Sequence, residues 1–243
     1  MIVPLLFAVG NVPASANTGG FSVFRMATLE AQVILVILAL FSIGAWSVIA
    51  FKVVQMRRAR KLNQFFTAEF KAQKTVLEMY DRRIQAEGCP LFAVYQAGSI
   101  ELDARLKGAA GEARKKHVSL KSMEHVKRLM ENVVAQESLK LESGLILLAI
   151  AVSGAPFLGL LGTVWGVMDT FAGIARAQSA SMTAMAPGVA AALVTTVAGL
   201  LVAIPSMFGY NWLVHNLRVR TVELDNFAQE LVSKMETEYL QDE

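Results

Sequence analysis

Hydrophobic and polar residues are segregated along this chain. Val33–Phe51 is an uncharged, mainly apolar run of 19 residues, Ser143–Met168 one of 26, and Ala177–Leu217 one of 41. About 20 apolar residues cross the hydrocarbon core of a bilayer as a helix, so the first two runs and part of the third read as spans. In hydrocarbon the backbone must satisfy its own hydrogen bonds, which leaves helices or a closed barrel. None of the runs alternates with period two as barrel strands do, so helices are predicted. Outside the spans, Leu62, Phe65, Phe66 and Phe70 recur at helical spacing and extend the first helix into water, as far as a break at Gly88-Cys-Pro90. Phe92, Tyr95, Leu102 and Leu106 predict a further helix ending near Gly108-Ala-Ala-Gly111. Met123, Val126, Met130 and Val133 predict another that runs into the second span, since no strong breaker intervenes before Gly144. Leu217, Leu224, Ala228, Leu231 and Met235 keep a near-heptad spacing and extend the third span. No stretch reads as a sheet, a repeat or a low-complexity tract.

The predicted fold class is therefore all-α: a polytopic membrane protein with three transmembrane helices and long cytoplasmic helical extensions. Its expected divisions are an N-terminal segment 1–30, spans at 31–52, 143–174 and 185–211, a helical domain 53–142, a short loop 175–184 and a C-terminal helix 212–243. A hydrophobic content of 54% and a mean hydropathy of +0.46 fit one membrane domain with a polar insertion.

Charge adds the orientation. Of 23 Lys and Arg, 18 lie between Lys52 and Lys140 and three after Trp212, leaving Arg25 and Arg176. The positive-inside rule places 52–142 and the C-terminus in the cytoplasm and the N-terminus and the Arg176 loop outside. The net charge of +3 is thus a topology signal. The run Arg114-Lys-Lys-His-Val-Ser-Leu-Lys121 has acidic residues near it and reads as a solvated face, not a nucleic-acid surface. The single cysteine, Cys89, can form no internal disulfide and falls in a turn. At the start, Ile2–Val9 is apolar and Ala14-Ser-Ala16 faintly resembles a signal-peptidase site. No charged n-region precedes it, so the segment is expected to be retained outside the membrane, with Phe21, Phe24, Met26 and Leu29 along its surface.

Candidate chemistry lies in the placement of small residues. Gly159, Thr163, Gly166 and Thr170 sit at i, i+4, i+7 and i+11 of the second span. Ala192, Thr196, Gly199, Ala203 and Ser206 repeat that spacing in the third. Each set forms one narrow helix stripe. Such a stripe is either a face for close helix packing or a pore wall carrying hydroxyls. By helix rise, Thr163 and Thr196 each lie roughly 16–18 Å from the outer end of their span, near the midplane of a ~30 Å core. Antiparallel neighbours would bring the two hydroxyls to one level, where each could support water or a protonatable partner. Alternatively, each bonds the carbonyl one turn back. No ionisable side chain of the chain shares that level. Asp169 lies about 8 Å from the outer end by rise, as an outer cation vestibule or as a partner for Arg176. A proton crossing here would need a carboxylate from another chain. His117, His125 and His215 are scattered without metal-ligand spacing, and no phosphate loop or nucleophile elbow is present. No enzyme activity, cofactor or metal is expected.

The motifs Pro156-Phe-Leu-Gly-Leu-Leu-Gly-Thr-Val-Trp-Gly-Val-Met168 and Ala186-Pro-Gly-Val-Ala190, followed by Ala203-Ile-Pro205 and Tyr210-Asn211, resemble the TolQ/ExbB/MotA family of proton-channel subunits, its TolQ and ExbB branches most closely. The resemblance covers the spans and their flanks. It implies a bacterial inner-membrane homo-oligomer, a pentamer, whose second and third spans line a pore. Thr163 and Thr196 would form the proton pathway, and Gly159, Gly166, Thr170, Ala192, Gly199 and Ala203 would line the pore. It also implies a TolR/ExbD-like single-span partner carrying a membrane Asp. The assembly would be a motor, a stator that converts proton-motive force into work on the cell envelope through a TonB/TolA-like or gliding partner. The chain departs from the family at Ala191, where an acidic residue is usual, so the implied pathway has one carboxylate fewer. Two rivals are a self-sufficient ion channel or transporter and a non-conducting membrane scaffold.

Overall fold

The computed structural model describes residues 28–86, 88–107, 115–177 and 182–240, with 177 and 182–184 as backbone alone. Ala14-Ser-Ala16, Phe21, Phe24, Met26, Gly108-Ala-Ala-Gly111 and residues 178–181 of the expected loop lie outside the described residues. Six helices follow in order: α1 Leu29–Ala72, α2 Glu78–Asp81, α3 Pro90–Lys107, α4 Leu120–Glu142, α5 Leu145–Ala177 and α6 Met182–Tyr239. Among the described residues there is no strand. A single parallel bridge joins Val118 to Leu240, with the Val118 N–H donating to the Tyr239 carbonyl at 2.8 Å. Helices α1, α5 and α6 are long and apolar enough to cross a membrane. The 44 residues of α1 and 58 of α6 correspond to ~66 Å and ~87 Å of helix, more than twice the ~30 Å hydrocarbon core. Two of the three spans therefore continue as helix well past it.

Among the described residues, contacts divide the chain into two units, 28–42 with 152–204 and 43–151 with 205–240, the boundaries falling inside α1, α5 and α6. In the second unit the core is built as in a water-soluble domain. Phe66, Phe70, Phe92, Tyr95 and Phe227 form an aromatic cluster with centroids 5.2–6.2 Å apart, several edge-to-face. Leu102 and Leu106 of α3, Met123, Val126 and Met130 of α4, and Leu217, Leu224, Ala228, Leu231 and Met235 of α6 complete it. The near-heptad stripe of α6 is thus wholly buried in this unit. On α4, Val134 is buried and Val133 only partly so, a shift of one residue from the periodic reading.

The expected break at Gly88-Cys-Pro90 comes too late, because α1 ends at Ala72. Side chains there take the backbone donors that another helical turn would have used. The Glu238 carboxylate accepts the Val76 N–H at 2.9 and 3.1 Å, Gln73 Oε1 accepts the Met79 N–H at 3.2 Å, and Glu78 Oε2 accepts the Lys74 N–H at 2.9 Å. The Tyr95 hydroxyl donates to the Val76 carbonyl at 2.7 Å and accepts the Tyr80 N–H at 3.0 Å, pinning the turn onto α3. Pro90 then starts α3, where a missing N–H costs nothing. Gly144, with φ +83°, separates α4 from α5 in a conformation that glycine adopts freely. Beside it the Lys52 side chain, 2% exposed, donates to the Leu141 carbonyl at 2.9 Å and to Gln55 Oε1 at 3.1 Å. Its ammonium satisfies a carbonyl in the last turn of α4, where the helix dipole favours a cation.

In the first unit the side chains are smaller. Ile34 and Leu38 of α1 pack against Ala155 of α5 and Ala203 of α6, with Leu158, Ala198 and Val202 around them. Ala31 packs against Ala191. The other faces carry large exposed apolar residues, among them Val33, Leu40, Phe157, Leu161, Val164, Leu193, Val197 and Leu201, as lipid or another apolar surface requires.

Candidate functional site: a hydroxyl-lined helix seam

The seam between α5 and α6 is closed by backbone-to-backbone approach. A Cβ added to Gly159 would stand 2.9 Å from the Thr195 carbonyl oxygen, one on Gly166 2.7 Å from Ala192 Cβ, and one on Gly199 2.6 Å from the Ala155 carbonyl oxygen. Gly162 faces the Thr195 side chain, and Gly188 the hydroxyl of Thr170, just as closely. At Gly159 and Gly199, where the nearest obstacle is backbone, no larger residue fits without moving a helix. Gly159, Gly166, Ala192, Gly199 and Ala203 are among the residues that the resemblance expects to line a pore. All five are buried within the chain, four in the α5–α6 seam and Ala203 under Ile34 and Leu38. Within the chain the stripes bring the two helices into close contact. Apolar lipid gives helices no hydrophobic reason to associate, so close van der Waals contact between small residues holds them together.

Three threonines populate the middle of this seam. Thr196 Oγ1 lies 3.0 Å from the Gly159 carbonyl and 3.4 Å from Thr163 Oγ1. Thr163 in turn donates to the Leu160 carbonyl at 2.7 Å. The two hydroxyls read from depth as level with one another are in fact neighbours. Thr163 is back-bonded within its helix, whereas Thr196 reaches across to the other. Both remain half-buried, not sealed. The third, Thr195, was not singled out from the sequence. It is fully buried, its Oγ1 2.7 Å from the Ala192 carbonyl and 3.1 Å from that of Gly159. The signal was present: Thr195 stands three residues after Ala192 and four before Gly199, on the small-residue stripe itself. Gly159 O is thereby the shared acceptor of two hydroxyls from α6.

Further out, Thr170 is half-buried and donates to the Gly166 carbonyl at 2.7 Å. Asp169 is exposed on α5 and, among the described residues, forms no ion pair with Arg176. At 191 the alanine is buried against Ala31. The sequence of α5 from Leu145 to Met168 and of α6 throughout its apolar part contains no Asp or Glu. The arrangement can hydrogen-bond a water or a protonatable group, but it cannot itself titrate.

The fold and seam define a helical membrane protein with three spans and a hydroxyl-bearing contact between the second and third. Residues 101–226 match the family model described as the MotA/TolQ/ExbB proton channel family. The chain is 32% identical over 198 residues to the Tol-Pal system protein TolQ of Pseudomonas aeruginosa, covering 80% of this chain and 83% of that one. It is 31% identical over 225 residues to TolQ of Haemophilus influenzae, covering 90% and 94%. It is 30% identical over 200 residues to the biopolymer transport protein ExbB of Neisseria meningitidis, covering 82% and 88%. The chain belongs to the MotA/TolQ/ExbB proton channel family and is a bacterial inner-membrane protein.

Proposed function

We propose that this chain is the stator-type channel subunit of an inner-membrane motor, in which proton flow past Thr163 and Thr196 is converted into work on the cell envelope. The observation that carries the reading is the 3.4 Å contact between the two hydroxyls at a half-open seam whose own helices offer no carboxylate at that level. A carboxylate brought by a second chain would find there an oxygen able to donate or accept as it gains and loses a proton. We infer a homo-oligomer, a pentamer, enclosing the single membrane helices of a TolR/ExbD-like partner with a membrane Asp. The driven process would be of the Tol-Pal, TonB-dependent or gliding type, and the chain itself catalyses no reaction. The charge pattern supports a cytoplasmic domain at 53–142 and a cytoplasmic C-terminus, with the N-terminus periplasmic. Thr170 and Asp169 would lie on the outer approach.

Back-bonding of Thr163 to Leu160 favours the scaffold reading, in which the hydroxyls serve packing alone. Proton uptake by proteoliposomes containing the chain with and without the co-expressed single-span partner separates the readings. Flux only with the partner supports the motor subunit. Flux from the chain alone identifies a self-sufficient channel, and no flux under either condition identifies a scaffold.

A further inference from the structure

Unit two carries an open groove of about 820 Å³ between α1 and α6, used by nothing above. Arg60, Gln64, Thr67 and Lys71 line it from α1, and Asn216 and Arg220 from α6. The four α1 residues fall at i, i+4, i+7 and i+11, one face of the helix. Its acids are engaged locally: Glu223 accepts from Arg220 Nη1 at 2.6 and 2.9 Å, and Glu230 pairs with Lys234 at 3.1 Å. Arg60 forms no ion pair among the described residues, and Arg220 Nε is buried without a hydrogen-bond partner.

Position supplies the second argument. Arg60 stands nine residues past Phe51 and Arg220 nine past Asn211, the ends of the first and third spans, so both lie ~14 Å beyond the hydrocarbon edge by helix rise. Side chains on a helix lean toward its N-terminus, which on both helices is the span side. Long arginines therefore reach back toward the headgroup layer, which adds about 5–8 Å per leaflet. No Asp or Glu occurs between Glu30 and Glu69 or between Asp169 and Glu223, so the span-side end of the groove is lined by Arg60, Asn63, Gln64, Asn216 and Val219, and its nearest acid, Glu223, is already paired with Arg220. Basic pockets between helices at a membrane surface suit anionic headgroups, and guanidinium forks suit phosphate oxygens.

We propose that the span-side end of this groove binds the phosphate of an anionic phospholipid, held first by Arg60, with Arg220, Gln64 and Asn216 as further donors. The site rests on the membrane location alone, and stands or falls separately from proton conduction. The test uses the full chain, with its partner where one is required for stability, reconstituted in phosphatidylcholine with or without phosphatidylglycerol. Retained lipid is counted by native mass spectrometry and melting is followed in parallel. Phosphatidylglycerol is expected to be retained and to raise the melting temperature, while inorganic phosphate at the same concentration does neither. Arg60→Gln, which removes no bond within the chain, should weaken retention roughly tenfold, the usual size for one charged hydrogen-bonding group, with Arg60→Lys recovering part of it. Arg220→Gln should act likewise. Arg57→Gln and Arg58→Gln, exposed on α1 outside the groove, should change retention by less than about twofold. An equal loss at all four arginines would reduce the effect to general surface potential. Equal stabilisation by inorganic phosphate would make the site one for a soluble anion. A groove protected from hydrogen exchange irrespective of lipid would mean that a second copy covers it. Each of these results overturns the proposal.

Discussion

The two units of this chain hold together by opposite means. In 43–151 with 205–240, large side chains interdigitate: Phe66 touches Phe70, Phe92, Tyr95 and Phe227, and methionines and leucines fill the rest. Burial away from water drives that core, at roughly 25 cal/mol per Å² of apolar surface. In 28–42 with 152–204, the closest contacts are glycine to backbone and hydroxyl to carbonyl, and the large residues point outward. Lipid supplies no comparable drive, so proximity and hydrogen bonding replace it. The same substitution should therefore have opposite consequences in the two units. Enlarging a residue breaks the seam, whereas shrinking one breaks the aromatic core.

The sharpest way to break this comparison is to exchange the two kinds of change. Gly199→Leu forces a side chain onto the Ala155 carbonyl and should abolish the native complex by size exclusion and native mass, whereas Leu201→Ala on the exposed face of α6 should leave assembly intact. Phe66→Ala should cost the polar unit about 3–5 kcal/mol, visible as an early thermal transition by circular dichroism. If Gly199→Leu assembles normally, the seam is not held by close approach.

Lys52 tests the comparison at a polar contact. Lys52→Met keeps the length and removes the donor to the Leu141 carbonyl, so about 1–3 kcal/mol of stability should be lost, with Lys52→Arg intermediate in the same melting experiment. A smaller effect concerns Cys89, whose Sγ lies 3.3 Å from Asn63 Oδ1 and whose thiol is pushed up by burial. The unfolded thiol ionises near 8.5, so the stabilisation from keeping it protonated is complete below that pH and is lost as pH rises through the raised folded value. Alkylation at pH 8 should accordingly be slow in the folded protein and rapid after denaturation. Smallest of all, Leu40→Ala on the exposed face of α1 should leave assembly and melting near wild type.

Much of this was legible in the chain because hydropathy and period report local geometry. The spans follow from three uncharged runs, and the buried stripe of α6 from the near-heptad Leu217–Met235. Equal depth on antiparallel helices anticipated the Thr163–Thr196 contact. Features set by distant partners were not legible. The end of α1 depends on Glu238, 162 residues from Val76, and the burial of Lys52 on the Leu141 carbonyl, 89 residues on. The small stripes were legible as stripes, but which helix each packs against within the chain is a tertiary fact that periodicity does not encode. Thr195 was overlooked because two hydroxyls already matched the spacing, and its role appears only when Gly159 is seen to accept from both α6 threonines.

The claim that the hydroxyl pair serves proton transfer is tested most directly by proton uptake in proteoliposomes holding the chain and its single-span partner, compared among wild type, Thr→Ser and Thr→Val at 163 and 196. Serine keeps the hydroxyl, and valine keeps the shape without it. Removing a hydrogen-bonding group beside a buried charge costs about 1.5–3 kcal/mol, roughly a tenfold or greater fall in the coupled step. The account predicts uptake declining from wild type through Ser to Val at both positions, with assembly intact. Assembled Thr163→Val and Thr196→Val complexes that take up protons at the wild-type rate would contradict it.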